Sequence, residues 1–209
     1  MDYIDLGISE YKESYRIQRE TAEKVAAGMR GNTLIITEHK KVITIGRTGS
    51  DSNVFKSEGM DVLKIDRGGD VTYHGPGQLV AYPIFKFEKE ARDIHNFFGY
   101  MEDVGINFLN KYGVSAEAKP GLRGVWTGDG KIGSIGIGIK KWVTYHGMAI
   151  NINTDMTPFS FINPCGVAGI RMTSLEILLG KKIDIGDAKF RLRDSFEEVS
   201  LLAEARHKG

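Results

Sequence analysis

The 209-residue sequence holds a single cysteine, Cys165. One thiol cannot close an intramolecular disulfide, and no cysteine cluster exists to ligate a metal. The five histidines, His39, His74, His95, His146 and His207, lack metal-ligand spacing such as H-E-x-x-H, so no metal site is expected. No run approaches the roughly 18 uninterrupted apolar residues of a membrane-spanning helix. The opening MDYIDLGISEYKES has no basic start followed by an apolar stretch, so no signal peptide is expected and the plain reading is a cytoplasmic, soluble protein. An excess of one charge sign is absent too: 28 basic side chains face 27 acidic ones, for a net charge of +1. That excludes nucleic-acid binding through bulk positive charge, although a local basic patch remains compatible with it. Prolines number five, and no repeat, low-complexity tract or linker interrupts the chain.

What is present is ordinary in bulk and uneven in distribution. Hydrophobic residues make up 41% and charged residues 26%, as in soluble globular proteins, and the length suits one compact domain spanning 1–209. Residues 9–30 read as a helix, with Ser9 as N-cap and Gly28 or Gly31 as stops. Leu34–Thr37 and Val42–Ile45 read as short β-branched strands joined by a polar turn over 38–41. Residues 46–57 read as a loop. Residues 79–87 form a further strand, where Pro83 argues for an edge or a bulge. Residues 90–112 carry a helical apolar stripe that includes Phe97, Met101, Val104 and Phe108, with Gly113 near its end. Strands at 124–127 and 131–139 flank Gly128-Asp129-Gly130, a hairpin signal, and 142–153 reads as another strand. Residues 173–179 and 187–206 read as helices. Hairpin-length connections predict a mixed α/β fold with a mainly antiparallel sheet flanked by helices.

Nine of the 26 glycines fall in two short segments. In Arg67-Gly68-Gly69-Asp70-Val71-Thr72-Tyr73-His74-Gly75-Pro76-Gly77-Gln78 they let backbone approach a ligand among Arg, Thr, Tyr and His tips, or simply make turns. In the second, 128–133 formally matches G-x-G-x-x-G, but the following Ser134-Ile135-Gly136-Ile137-Gly138-Ile139 alternates as a strand. A dinucleotide site needs a helix there, so that reading fails, and no phosphate-binding G-x-x-x-x-G-K-[ST] occurs. Ser134, Gly136 and Gly138 share one strand face. The resulting groove holds either another backbone or the apolar body of a ligand, with Lys131 at its mouth. Cys165, between Pro164 and Gly166, reads as a thiol at a shaped loop tip or as a small buried apolar residue. His146, in Tyr145-His146-Gly147, is a base, a ligand or a structural strand histidine.

The stretch Arg67-Gly68-Gly69 through Thr72-Tyr73-His74-Gly75-Pro76-Gly77-Gln78-Leu79 resembles the signature of the octanoyl-carrier-protein:protein octanoyltransferases, also called lipoyl(octanoyl) transferases or lipoate-protein ligases B. Gly124-Val125-Trp126, Lys131–Gly136, Tyr145-His146-Gly147 and Asn163-Pro164-Cys165-Gly166 continue it in the family's order, and Val42–Arg47 resembles its early strand. The resemblance covers about residues 33–180. It implies the fold of lipoate and biotin protein ligases and a cofactor-free acyltransferase. It implies Cys165 as nucleophile and Lys131 as the partner that favours its thiolate. It further implies substrate-binding segments at Arg67, Gly68, Gly69, Asp70, Val71, Thr72, Tyr73 and His74, at Ser134, Ile135 and Gly136, and at Tyr145, His146 and Gly147. The implied donor is octanoyl-acyl-carrier protein. The implied acceptors are lysines on lipoyl domains of 2-oxoacid dehydrogenase E2 subunits and on glycine cleavage H protein, with the enzyme acting as a monomer.

On that basis one thioester replaces another at Cys165, and an acceptor amine then takes the acyl group as an amide. Lys131 or His74 would manage the amine's proton, and backbone N–H groups at Cys165 or Gly166 would face the oxyanion. Gly136→Leu is expected to block transfer with the fold intact. Arg47, Lys140 and Lys141 are candidate docking charges or ordinary solvated side chains. Two other functions fit the same frame: an ATP-dependent ligase, which needs no cysteine, and a non-catalytic acyl-binding module.

Overall fold

The computed structural model describes residues 1–88, 92–128 and 130–207. Seven strands form the main sheet in the order β1-β2-β6-β10-β9-β8-β7, and three more form a smaller sheet ordered β4-β3-β5. β1 (Asp2–Ser9) lies parallel to β2 (Thr33–His39), with α1 (Tyr11–Ala26) as the crossover between them. β2 pairs antiparallel with β6 (Gln78–Ile84), which pairs antiparallel with β10 (Val143–Asn151). β9 (Gly130–Lys140), β8 (Leu122–Thr127) and β7 (Glu117–Lys119) complete the sheet.

Strand alternation sorts the apolar side chains onto two faces. Leu34 and Ile36 of β2 join Leu79, Ala81, Met148 and Ile150 in a core covered by α2 (Ile94–Asn110) and α4 (Ile185–His207). Ile35, one residue out of phase, joins Val80, Tyr82 and Ala149 beneath Ala22 and Val25 of α1. The small sheet consists of β3 (Val42–Ile45), β4 (Asp61–Lys64) and β5 (Val71–His74), and its core of Ile43, Ile45, Val71 and Tyr73 packs on Phe159 and Ile162. α3 (Leu175–Leu179) is capped by the Ser174 hydroxyl, which accepts from the Ile177 N–H. The mixed, mainly antiparallel sheet flanked by helices is the one expected; β1–β2 is its parallel pair, and β3–β4 is the parallel pair of the small sheet. Among the described residues no helix is long and apolar enough to cross a membrane.

Several local expectations change. Ser9 does not cap a helix: it ends β1, its hydroxyl meets Thr37 Oγ1 at 2.8 Å, and α1 begins at Tyr11 after an N-cap position, Glu10, that makes no side-chain cap. Pairing with β2 draws residues 2–9 into the sheet, a tertiary effect that local helix signals do not carry. Glu38 and His39 are buried parts of β2 rather than turn, and β2 and β3 belong to different sheets. Pro83 is central, between β2 and β10, not at an edge. The ladder from β10 runs only to Met148–Ala81, because His146 turns to φ 56° and hands its N–H to Gln18 Oε1. The Thr144 hydroxyl then donates to Pro83 O at 2.6 Å and satisfies that carbonyl, and because the ladder has already stopped, the missing N–H of Pro83 costs no ladder bond to β10. The second helix starts at Ile94, where Asp93 Oδ1 accepts from the His95 and Asn96 N–H groups. Thr127 pairs with Gly130 across the expected hairpin, whose Asp129 lies outside the described residues.

Candidate active site

Lys131 sits at the start of β9, with its backbone held on both sides by the segment that returns from Cys165. Its N–H donates to Arg171 O at 2.8 Å, and its carbonyl accepts from Thr173 N at 3.0 Å. Its side chain, 1% exposed, crosses under Gly124 and over the Trp126 ring, with Nζ 5.2 Å from the ring centroid. A Cβ at Gly124 would stand 2.6 Å from Lys131 Cε, so the Gly-Val-Trp motif makes the channel for this chain. Nζ donates to Arg123 O at 2.6 Å and to Cys165 Sγ at 3.0 Å.

Cys165 occupies a short 3-10 turn, Pro164–Gly166, at φ 60° and ψ 17°. Left-handed backbone costs a non-glycine residue roughly 1–2 kcal/mol, so the surrounding contacts over-determine this turn. Pro164 restricts its entry, and the Gly166 N–H closes it on Asn163 O at 3.0 Å. The thiol is partly exposed, and the ammonium nitrogen is the polar atom beside it.

Both residues line one cavity of about 290 Å³, near the lower end of the ~300–1,000 Å³ typical of small-molecule sites. Its floor is the α1-side face of the central strands, where Ser134 and Gly136 of β9 pair with Ala149 and Gly147 of β10. Four small side chains in a row leave the hollow. Val80 and Tyr82 of β6 continue that floor, and Arg67–Thr72 with His74 form a wall. Leu122, Arg123 and Val167 stand at the exposed side, beside Phe98 and Ile170.

Arg67 is a buried cation without a carboxylate partner in the wall. Its guanidinium donates to Thr44 O at 2.9 Å, Thr44 Oγ1 at 3.0 Å and Gly68 O at 3.0 Å, while Nε has no partner among the described residues. Burial pushes its pKa down. Farther in, Tyr11 stacks on His74, and His74 Nδ1 lies 2.7 Å from Gln78 Oε1. Desolvation holds His74 well below the usual histidine range, so it is neutral at pH 7. His39 Nε2 meets the Tyr82 hydroxyl at 2.6 Å and is pushed down to about 4, again by burial. His146 Nε2 lies 2.9 Å from Asp66 Oδ1, and the Tyr145 hydroxyl donates to Oδ2 at 2.8 Å. These bonds, the His146 one first, hold the Asp66 carboxyl well below its ordinary range.

The structure thus brings Arg67, Gly68, Gly69, Asp70, Val71, Thr72 and His74 to the same cavity as Lys131 and Cys165, together with Ser134, Ile135, Gly136, His146 and Gly147. Two anticipated binding residues do not reach it. Tyr73 points to the opposite face of β5, where its ring meets Phe159 edge-on. Tyr145 covers Gly138, whose added Cβ would stand 2.6 Å from Tyr145 Cε2, and sends its hydroxyl to Asp66. The small-residue stripe is therefore open only at its Ser134–Gly136 end. Lys140 and Lys141 lie at the far end of β9 from Lys131, about 30 Å away at a strand's rise per residue, so they do not flank Cys165. Sequence reasoning missed Tyr11, Val80, Tyr82, Arg123, Met148 and Ala149 as lining residues. Tyr82 left a trace, as a hydroxyl inside an otherwise apolar strand; Tyr11 left none.

Residues 10–197 match the model of the lipoyl protein ligase A/B catalytic domain. An octanoyltransferase of Geotalea uraniireducens is 44% identical over 197 residues, 94% of this chain and 92% of its own. One from Caldanaerobacter subterraneus is 41% identical over 204 residues, covering 95% and 89%. Among solved structures, the putative lipoate protein ligase Ta0514 of T. acidophilum with bound lipoic acid superposes with a TM-score of 0.71 at 17% identity, over 95% of this chain and 85% of that one. Biotin protein ligase from Aquifex aeolicus with biotin and ATP gives 0.59 at 14% identity, over 95% and 69%. The chain belongs to the lipoyl protein ligase A/B catalytic-domain family and is an acyltransferase of its octanoyltransferase group.

Proposed function

We propose that the whole chain acts as one catalytic domain that moves an octanoyl group from octanoyl-acyl-carrier protein to a lysine of a lipoyl domain, through an acyl thioester on Cys165. The observation that carries this reading is the 3.0 Å approach of the buried Lys131 Nζ to Cys165 Sγ at the side of an acyl-sized cavity. An ammonium at that distance favours the thiolate, the nucleophilic form. The thiolate attacks the donor's thioester carbonyl; the new C–S bond to Cys165 forms, the carrier's C–S bond breaks, and the departing carrier sulfur takes a proton from Lys131 Nζ and leaves as a thiol. The acceptor's neutral ε-amine then attacks the acyl-cysteine, an amide forms, the C–S bond to Cys165 breaks, and the now neutral Lys131 takes the amine's proton, which restores the ammonium beside the Cys165 thiolate.

Lys131 rather than His74 carries the proton in this scheme. His74 is buried and neutral, and its Nδ1 is engaged with Gln78. The Gly166 N–H is already taken by Asn163 O, so the oxyanion role falls to the Cys165 N–H. The E2 lipoyl domains and H protein are the proposed acceptors, and a monomer in the cytoplasm is the proposed working state. Arg123, at the open side of the cavity, and Arg47, whose N–H donates to Arg67 O of the wall at 2.9 Å, would meet acidic partners.

The test is an intact-protein mass after mixing with octanoyl-acyl-carrier protein, wild type beside Cys165→Ser. An octanoyl increment on the wild type alone is expected. Lysine modification that instead requires ATP and survives Cys165→Ser would assign the chain to the ligase chemistry. Absence of any adduct or transfer would leave a binding module.

A further inference from the structure

The left-handed Cys165 turn is tied to the cavity wall by one side chain outside every motif discussed above. Residues 53–56, from the loop after β3, run antiparallel to residues 161–163 just before the turn. Asn163 N donates to Asn53 O at 2.8 Å, Phe55 N donates to Phe161 O at 2.8 Å, and Val54 bridges Ile162. This pairing seats the Asn53 amide between two partners. Its Nδ2 donates to Asp70 Oδ2 at 2.9 Å, and its Oδ1 accepts from Asn163 Nδ2 at 3.4 Å. Asp70 Oδ1 in turn accepts from Val71 N at 2.7 Å, which fixes the carboxylate against the start of β5. Oδ2 fills the space where a Cβ of residue 166 would stand, with Asn53 Nδ2 3.4 Å from the same point. Only glycine fits beside the nucleophile, and Gly166 has φ 69°.

We infer that Asn53 is a positioning residue: through Asp70 and Asn163 it locks the Cys165 turn to the Arg67–Asp70 wall and so sets the Cys165 sulfur against Lys131. The inference rests on the reading of Cys165 as nucleophile. It also reassigns Asp70, whose carboxylate serves the turn. Asn53 touches neither the thiol nor Lys131, so its effect is geometric. A nucleophile displaced by about 1 Å loses roughly a hundredfold in rate.

The experiment measures octanoyl-transfer kinetics and, separately, the pH profile of Cys165 alkylation by iodoacetamide, with melting temperature as the folding control. Asn53→Asp keeps the acceptor facing Asn163 and removes the donor facing Asp70. It is expected to lower kcat roughly tenfold to a hundredfold with KM within about twofold. Its alkylation profile should move toward that of Lys131→Met. Combining Asn53→Asp with Asp70→Asn restores a donor opposite an acceptor and is expected to return kcat to within about threefold of wild type. Asn53→Ala, which adds no second carboxylate beside Asp70, decides by the same readouts if Asn53→Asp does not fold. A folded Asn53 variant with unchanged kcat and alkylation profile overturns the inference, as does a loss that the reversed pair leaves unrecovered. Wild-type protein that takes no octanoyl group onto Cys165 overturns the transferase reading instead, and the alkylation profiles then still decide the clamp.

Discussion

Lys131 is a buried cation whose two hydrogen-bond partners, Arg123 O and Cys165 Sγ, are a dipole and a sulfur rather than a carboxylate. Such a group is costly to bury unless its neighbours satisfy it, and the Trp126 face beneath it adds a cation–π contact worth about 0.5–2 kcal/mol. Lys131→Met keeps most of the side-chain volume while removing the charge. It is expected to lower octanoyl transfer by roughly 10²–10⁴-fold and to slow Cys165 alkylation at neutral pH, with less effect in alkaline buffer, where the thiolate forms without help. Equal alkylation rates in both proteins at neutral pH would remove Lys131 from the mechanism. His146 is, after Cys165, the second non-glycine residue held at positive φ among the groups that line the cavity, and Asp66 and Gln18 hold it there. Its strain belongs to the cavity's inner end, where the β6–β10 ladder stops at Met148–Ala81 and Tyr11 and Tyr82 line the hollow.

At the scale of elements, β9 explains both the cavity and the limits of the groove seen in its sequence. Its small residues face three different things: Ser134 the hollow, Gly136 the Gly68 carbonyl and the Arg67 side chain at the hollow's edge, and Gly138 the Tyr145 ring. Gly68 N donates to Ile137 O at 2.9 Å, so the wall is hydrogen-bonded to the strand it shields. A Cβ at residue 136 would lie 2.9 Å from Gly68 O and 3.0 Å from Arg67 Cδ. Gly136→Leu therefore cannot act as a clean steric plug. It is expected to push the 67–69 segment off β9 and cost about 1–3 kcal/mol of stability, with activity lost as a consequence. Urea denaturation beside turnover checks this: wild-type stability with lost transfer would restore the simple plug. The hairpin, the second helix and the Val42–Ile45 strand were legible because periodicity and turn chemistry are local. β1 was not, since its ladder exists only when residues 33–39 lie alongside it.

At the scale of the molecule, three histidines are buried beneath the cavity between the main sheet, α1 and the small sheet. His39, His74 and His146 are all pushed below their ordinary value, burial first in each case. Each is neutral when folded and takes up a proton near pH 6.5 when unfolded. Between about pH 6.5 and 4 the unfolded chain thus binds more protons than the folded one, and stability falls as pH falls. His39 alone, at about 4 in the folded protein, accounts for about 2 kcal/mol between pH 7 and pH 5. The chain is expected to lose at least that much over this interval in chemical-denaturation curves, and His39→Gln is expected to flatten the slope. A stability constant across the interval would contradict the buried, neutral state of these residues. The Asp66 carboxylate, held low by His146, Tyr145 and Tyr15, adds its own loss only in stronger acid, below the usual carboxylate value.

The sequence by itself determined the family and with it the mixed sheet, because the family's motifs are residue types at fixed spacing along short segments; the resemblance also singled out Lys131 and Cys165, which the fold sets 3.0 Å apart. It also placed most of the cavity's wall and floor, since Arg67–His74 and Ser134–Gly136 each travel as one piece. Only the tertiary structure decided that Tyr73 and Tyr145 face away from the cavity, which strand parity and the neighbouring sheet set. Only it seated Tyr11, Tyr82 and Ala149 around the cavity, and only it placed Asn53 against Asp70 and Asn163. Those contacts join residues 17 and 110 positions apart. Local pattern carries no information about such pairs, because their geometry comes from the packing of two sheets against each other.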